Sequence, residues 1–163
     1  MSGATVAAAR STTGAEARAD ALGGLEREVG ILIRRVRRII GDRARAVHPD
    51  LLPSSYLMLT WLIEEGPVRA SVMAGTFHID KGAVSRQLSH LVDLGLVDRS
   101  QDPEDGRASL VSASDEARRL LDNVVAEQRR HFDERLGDWS AEDLDGFVSL
   151  LGRYNTALGG YDV

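Results

Sequence analysis

Ile79-Asp80-Lys81-Gly82-Ala83-Val84-Ser85-Arg86-Gln87-Leu88-Ser89-His90-Leu91-Val92-Asp93-Leu94-Gly95 reads as one helix with a signal at each end. Asp80 suits the N-cap, where a carboxylate accepts from amides that the first turn leaves unpaired. Ile79 and Val84 take the two positions of a hydrophobic staple around it. Gly95 stands where a helix often ends in a left-handed residue. Between these ends, Val84, Leu88, Leu91 and Val92 form an apolar stripe. At about 100° per residue, Gly82, Arg86, Ser89, His90 and Asp93 point the opposite way, with Ser85 on the flank.

The neighbours on both sides give this helix its context. A short helix over about Arg69 to Phe77 precedes it and buries Val72, Met73 and Phe77. Before that, Tyr56, Leu57, Leu59, Trp61, Leu62 and Ile63 make a nearly all-buried helix, with Pro53 in its first turn and Gly66-Pro67 at its end. After Gly95, Leu96–Arg99 and Ala108–Val111 read as two short strands. They are joined by the turn-rich Asp102-Pro103-Glu104-Asp105-Gly106. Three helices followed by a β-hairpin make a winged helix-turn-helix, in which the second helix of the pair lies in a DNA major groove. The expected fold is therefore mainly α with a small β-hairpin wing, the winged domain occupying residues 51–112.

Long helices flank this domain. Leu25, Val29, Leu32, Ile33, Val36, Ile39 and Ile40 recur at helical spacing from Leu22 to Val47, and Pro49 closes the segment (residues 21–50). A fifth helix starts near Ser114, with Asp115 and Glu116 at its positive end, and runs to about Leu136. Ser140 and Asp143 form a capping-box pattern for a sixth, which Trp139 and Leu144 can staple. Its stripe continues through Phe147, Val148, Leu151, Tyr154 and Leu158, so residues 113–163 are helical. Residues 1–20 hold almost no large apolar side chain and are expected to be a flexible arm.

The composition narrows the function classes. The chain has 163 residues, 43% hydrophobic and 28% charged, which suits one soluble globular domain. No run of apolar residues is long enough to span a bilayer, and the N-terminal stretch lacks the apolar core of a secretory signal. A cytoplasmic location is expected. With no cysteine, a disulfide framework, a Cys-ligated zinc and a thiol nucleophile are excluded. Net charge is -5, yet a nucleic-acid binder needs only its contacting face to be positive. Positive charge is local here, with Arg27, Arg34, Arg35, Arg37, Arg38, Arg43 and Arg45 crowding one helix. His48, His78, His90 and His131 show no paired metal-ligand spacing, so no metal site is expected. No phosphate loop or nucleophile elbow appears; neither catalysis nor a cofactor is expected.

Residues 51 to 117 resemble the MarR (multiple antibiotic resistance regulator) family of bacterial transcriptional regulators. The likeness rests on Val68-Arg69-Ala70-Ser71-Val72-Met73-Ala74, on Ile79 to Leu88, on Leu91 to Val97, and on Asp102 to Arg107. With the flanking helices it spans about Leu22 to Leu158. Two positions depart from the family pattern: Ala113-Ser114 replaces the usual Leu-Thr, and Ala117 a common Gly.

The resemblance implies base or phosphate contacts from Lys81, Ser85, Arg86 and Ser89, and a wing arginine at Arg107 braced by Asp105. Gly82 and His90 share the outward face, and Arg69 and Ser71 at the preceding helix complete the candidate DNA-binding set. An arginine there can grip guanine bidentately, and small hydroxyl residues let the backbone approach. The resemblance further implies an intertwined homodimer built on the first, fifth and sixth helices, whose apolar stripes a lone winged domain cannot bury. A two-fold dimer reads a palindromic operator. Small aromatic ligands bind members of that family between the dimer helices and the DNA-binding lobes. The segments that could line such a pocket contain Arg35, His48, Tyr56 and Trp61. The expected function is a homodimeric repressor relieved by a small molecule. The alternative is a winged-helix protein-interaction module that does not read DNA, suggested by the acidic wing and net charge.

Overall fold

A computed structural model describes residues 3–159, with side chains from Gly14 onward. The described residues form six helices and three strands, and they divide into two compact units after Arg118.

The first unit opens with α1 (Gly3–Val47), an uninterrupted helix. The sequence reading starts this helix at Leu22 and makes residues 1–20 an arm. The structure instead carries the helix back to Gly3, while Met1 and Ser2 lie outside the described residues. Adding residues to an existing helix costs little, and alanine-rich sequence has the highest propensity to do so without tertiary packing. Leu25, Leu32, Ile33, Val36 and Ile39 are all exposed along one face, whereas Ala44 and Val47 near the end are buried. α2 (Pro53–Glu65) begins with proline in its first turn and stops at Gly66, whose φ of 76° is in the left-handed region.

β1 (Val68–Arg69) then leads directly into α3 (Ala70–Thr76). The turn to α4 (Lys81–Asp93) places His78 at φ 50°, a conformation seldom adopted by residues other than glycine. Asp80 Oδ1 accepts from the amides of Gly82 at 2.8 Å and Ala83 at 3.1 Å, so the cap forms as expected. At the other end, the Gly95 amide bonds Val92 and the Leu96 amide bonds Leu91, the paired bonds of a Schellman ending.

β2 (Val97–Gln101) and β3 (Ser109–Ala113) form the hairpin, and β1 adds to it in the antiparallel order β1-β3-β2. Val97 faces Ala113 and Gln101 faces Ser109 in the register. β1 is absent from the sequence reading, which begins the third helix at about Arg69. Met58, Leu59, Leu62, Met73, Val84, Leu88, Leu91 and Leu96 make the innermost core of this unit. α5 (Asp115–Arg135) starts here under Ser114, whose hydroxyl accepts from the Ala117 amide and donates to the Gly95 carbonyl. The capping function therefore survives the departure from the family pattern at this position.

The second unit holds the rest of α5 and α6 (Ala141–Leu158). Ser140 and Asp143 form the full capping box, with both reciprocal backbone bonds present. Their proximity holds the Asp143 carboxyl below the usual carboxylate range, first through the Ser140 hydroxyl and then through its amide. The Trp139 ring meets Phe147 edge-on at 5.9 Å. α6 buries none of its side chains.

Candidate nucleic-acid interface

The stripe of α4 decides what its outer face presents. Val84 and Leu91 are wholly buried and Leu88 nearly so, which fixes the rotation of the helix on the core. Lys81, Gly82, Ser85, Arg86 and Ser89 are consequently all exposed on the side away from it. The Arg86 guanidinium leans back over Gly82: a Cβ there would lie 3.5 Å from its Nη1. That same Cβ would fall 2.8 Å from Asp80 Oδ1, so only glycine leaves the cap undisturbed. His90 behaves differently from its neighbours. It is half-buried, and its Nε2 lies 3.1 Å from the Asp50 carbonyl oxygen, which ties α4 to the α1–α2 connection.

The hairpin supplies the rest of the surface. Arg107 is exposed just beyond the tip, and its backbone amide, not its guanidinium, bonds Asp105 Oδ1 at 3.1 Å. Gln101 Nε2 donates to the Gly106 carbonyl at 3.0 Å and so closes the tip. Arg99 projects from β2 and donates to the Ser89 hydroxyl of α4 at 3.2 Å. This places a second exposed arginine beside the outward face of α4, one that the sequence reading does not select. No signal in the sequence links positions 89 and 99, because the contact requires the hairpin to fold back along the helix.

Ser71 is exposed on α3. Arg69 is engaged within the protein: its Nε and Nη2 both lie 2.6 Å from Asp102 Oδ2. Asp102 is only 5% exposed, and its other oxygen accepts from the Glu104 amide at 2.9 Å. That amide, followed by the Arg69 guanidinium, holds the Asp102 carboxyl below its ordinary range, while the carboxylate raises Arg69 above its own. Of the three acidic residues at the wing tip, Asp102, Glu104 and Asp105, the first is thus already paired with a cation.

The four candidate ligand-lining side chains differ in their surroundings. Tyr56 is in the core, and Trp61 is half-buried with its ring edge-on to Phe77 at 5.7 Å. His48 Nδ1 accepts from the Asp50 amide, and Arg35 is exposed on α1. Among the described residues, no hydrogen bond or ring contact joins any two of these four. No group of three or more potential metal ligands occurs among the described residues. No described helix is long and apolar enough to cross a membrane.

A capped helix with a polar outer face, a preceding short helix and a three-stranded wing define a winged helix-turn-helix protein. The MarR family model matches residues 51–109, the stretch that holds α2, β1, α3, α4 and β2 and ends at the first residue of β3. The chain is 33% identical over 134 residues to YxaD of Bacillus subtilis, an uncharacterised HTH-type transcriptional regulator, covering 82% of this chain and 92% of the relative. It is 30% identical to YdgJ of the same organism, another such regulator, over 78% of this chain and 77% of the relative. Among solved structures, Rv1404 from Mycobacterium tuberculosis aligns with a TM-score of 0.69 at 20% identity, covering 80% of this chain and 92% of that one. Wild-type MarR from E. coli aligns at 0.61 and 20% identity, over 80% and 96%. This chain belongs to the MarR family. It is a DNA-binding helix-turn-helix transcriptional regulator and not an enzyme.

Proposed function

We propose that the protein is a cytoplasmic, homodimeric repressor that reads a palindromic operator through α4 and is released by a small aromatic ligand. The observation that carries the DNA-reading part is the outward face of α4. Lys81, Ser85, Arg86 and Ser89 are exposed on it, while the buried stripe leaves the helix no other rotation. Arg86 is the guanine-reading residue of this account, and Lys81, Arg99 and Arg107 are its phosphate or minor-groove contacts.

The dimer rests on a separate observation. Leu25, Leu32 and Ile33 of α1, Val125 and Phe132 of α5, and Phe147, Val148 and Leu150 of α6 are all large apolar residues left exposed in the single chain. Large apolar side chains left exposed on each of these helices suit an isologous interface. Residues 21–50 and 113–163 are accordingly assigned to dimerisation and 51–112 to DNA binding. Of the four ligand-lining candidates, Trp61 offers a half-exposed ring and is the first to test.

The experiment is equilibrium binding of the full chain to labelled duplexes, selected from a random library by the chain itself, across a salt series. Each phosphate neutralised contributes about -0.9 to the slope of log K against log [salt], so a steep slope is expected. Arg86→Ala should weaken the selected duplex by about 1–3 kcal/mol and relax preference at one base position per half-site. Undiminished binding of every sequence by that variant would remove α4 as the reader. A chain that binds no duplex at any salt favours the protein-interaction reading.

A further inference from the structure

We infer that Arg69 is not a DNA contact but a positioning residue, whose grip on Asp102 anchors the base of the wing to the start of the helix-turn-helix. The inference deepens the proposed DNA reading and rests on it for its functional consequence. Three observations converge on the same spot. Both Arg69 nitrogens point at one oxygen of a carboxylate that is 5% exposed. The other oxygen accepts from the Glu104 amide inside the wing turn. The Asp102 amide in turn donates to the Ala108 carbonyl at 3.1 Å, closing the neck of the loop that carries Arg107.

Arg69 stands at the hinge between β1 and α3, and β1 is paired to the wing through Arg69 opposite Leu110. One side chain therefore joins the root of α3, and through it α4, to the neck of the wing. The distance between the α4 face and Arg107 depends on that joint. A guanidinium committed to a buried carboxylate is also a poor phosphate ligand, because leaving it would strand the charge of Asp102 in the protein.

Charge and position make opposite demands on Asp102→Asn, and that supplies the test. Removing a negative charge near DNA should tighten binding if electrostatics alone matters. If the joint matters, binding should weaken. The full chain would be compared with Asp102→Asn, Arg69→Gln, Arg69→Lys and the Asp102→Asn/Arg69→Gln double variant. Amide hydrogen exchange of residues 102–108 is measured first, then binding to the duplex selected by the parent chain over a salt series. Each single neutral variant is expected to speed exchange in the loop while α6 amides stay unchanged, and to weaken DNA binding roughly tenfold. The double variant should be little worse than either single one, and the salt slope should stay at the parent value. Arg69→Lys keeps the charge but not the forked donor geometry, and should recover part of both losses.

The inference is overturned by two results. One is unchanged exchange of the loop in Arg69→Gln and Asp102→Asn. The other is tighter binding by Asp102→Asn, together with a slope reduced by about 0.9 per site for Arg69→Gln, the mark of a lost phosphate contact. If no duplex is selected, the DNA-reading assignment fails, and the exchange measurement still decides the anchor.

Discussion

Replacing Gly82 by alanine sets two effects against each other inside the reading helix. In an open helical position the exchange gains up to about 1 kcal/mol, since glycine loses more backbone entropy than alanine. Here the new Cβ would lie 2.8 Å from Asp80 Oδ1, the single oxygen that accepts from both Gly82 and Ala83. The carboxylate must swing away, and losing such a cap costs about 1 kcal/mol. Gly82→Ala should therefore leave stability nearly unchanged. Asp80→Ala alone should lose about 1 kcal/mol, or roughly 2–4 °C in melting temperature for a chain of this size. In the Asp80→Ala background nothing crowds the methyl group, and Gly82→Ala should then recover roughly 0.5–1 kcal/mol. The double-mutant cycle should thus show a coupling of about 1 kcal/mol, read from thermal melts at one fixed protein concentration. An equal gain from Gly82→Ala in both backgrounds would refute the reasoning, since the cap would then tolerate a side chain at position 82.

Further tests reach other parts of the molecule. Leu91 is wholly buried beneath α4, so Leu91→Ala should cost about 2–5 kcal/mol in denaturant unfolding, and a loss below 1 kcal/mol would place the core elsewhere. Phe147 is half exposed, so Phe147→Glu should spare the fold but convert a dimer to monomer in sedimentation equilibrium; a monomeric parent chain at micromolar concentration would contradict the proposed assembly. The lowered Asp143 carboxyl contributes stability that is present above the ordinary carboxylate range and lost as pH falls through its lowered value. The parent should therefore out-melt Asp143→Asn at neutral pH, and the gap should close progressively below about pH 4. An equal gap at both ends of that range would show that the capping box does not depend on the charge.

What the sequence made legible was local. Asp80 with Gly82 and Ala83, Gly95 with Val92, and Ser140 with Asp143 each involve residues within four positions, and all three helix ends are where the side chains place them. The strand pair of the wing was readable for the same reason, since turn residues sit between two apolar runs. What escaped was of two kinds. β1 is two residues long and exists only because β3 lies beside it. Arg69–Asp102, Arg99–Ser89 and His90–Asp50 join residues 33, 10 and 40 positions apart, distances at which no spacing rule operates. The start of α1 was missed for a different cause. Few large apolar residues over 1–20 argues for an arm, but a helix already formed from Leu22 onward can propagate without large apolar side chains.

The site was legible as a face before it was legible as a set of contacts. Periodicity alone put Gly82, Ser85, Arg86 and Ser89 outside. It put His90 there as well, although folding turns that ring onto the Asp50 carbonyl. Arg69 and Asp102 were visible as a basic residue and an acidic one. Their pairing sets the Arg69 charge against the buried Asp102, so the hairpin presents less negative charge than its composition suggests.

The most direct test of the central claim is to incubate the purified full chain with sheared genomic DNA from its source and sequence what it retains. The account predicts strong enrichment of a palindromic site, with enrichment lost as salt is raised. Retention of no sequence above background, with the protein folded and the salt low, would contradict it.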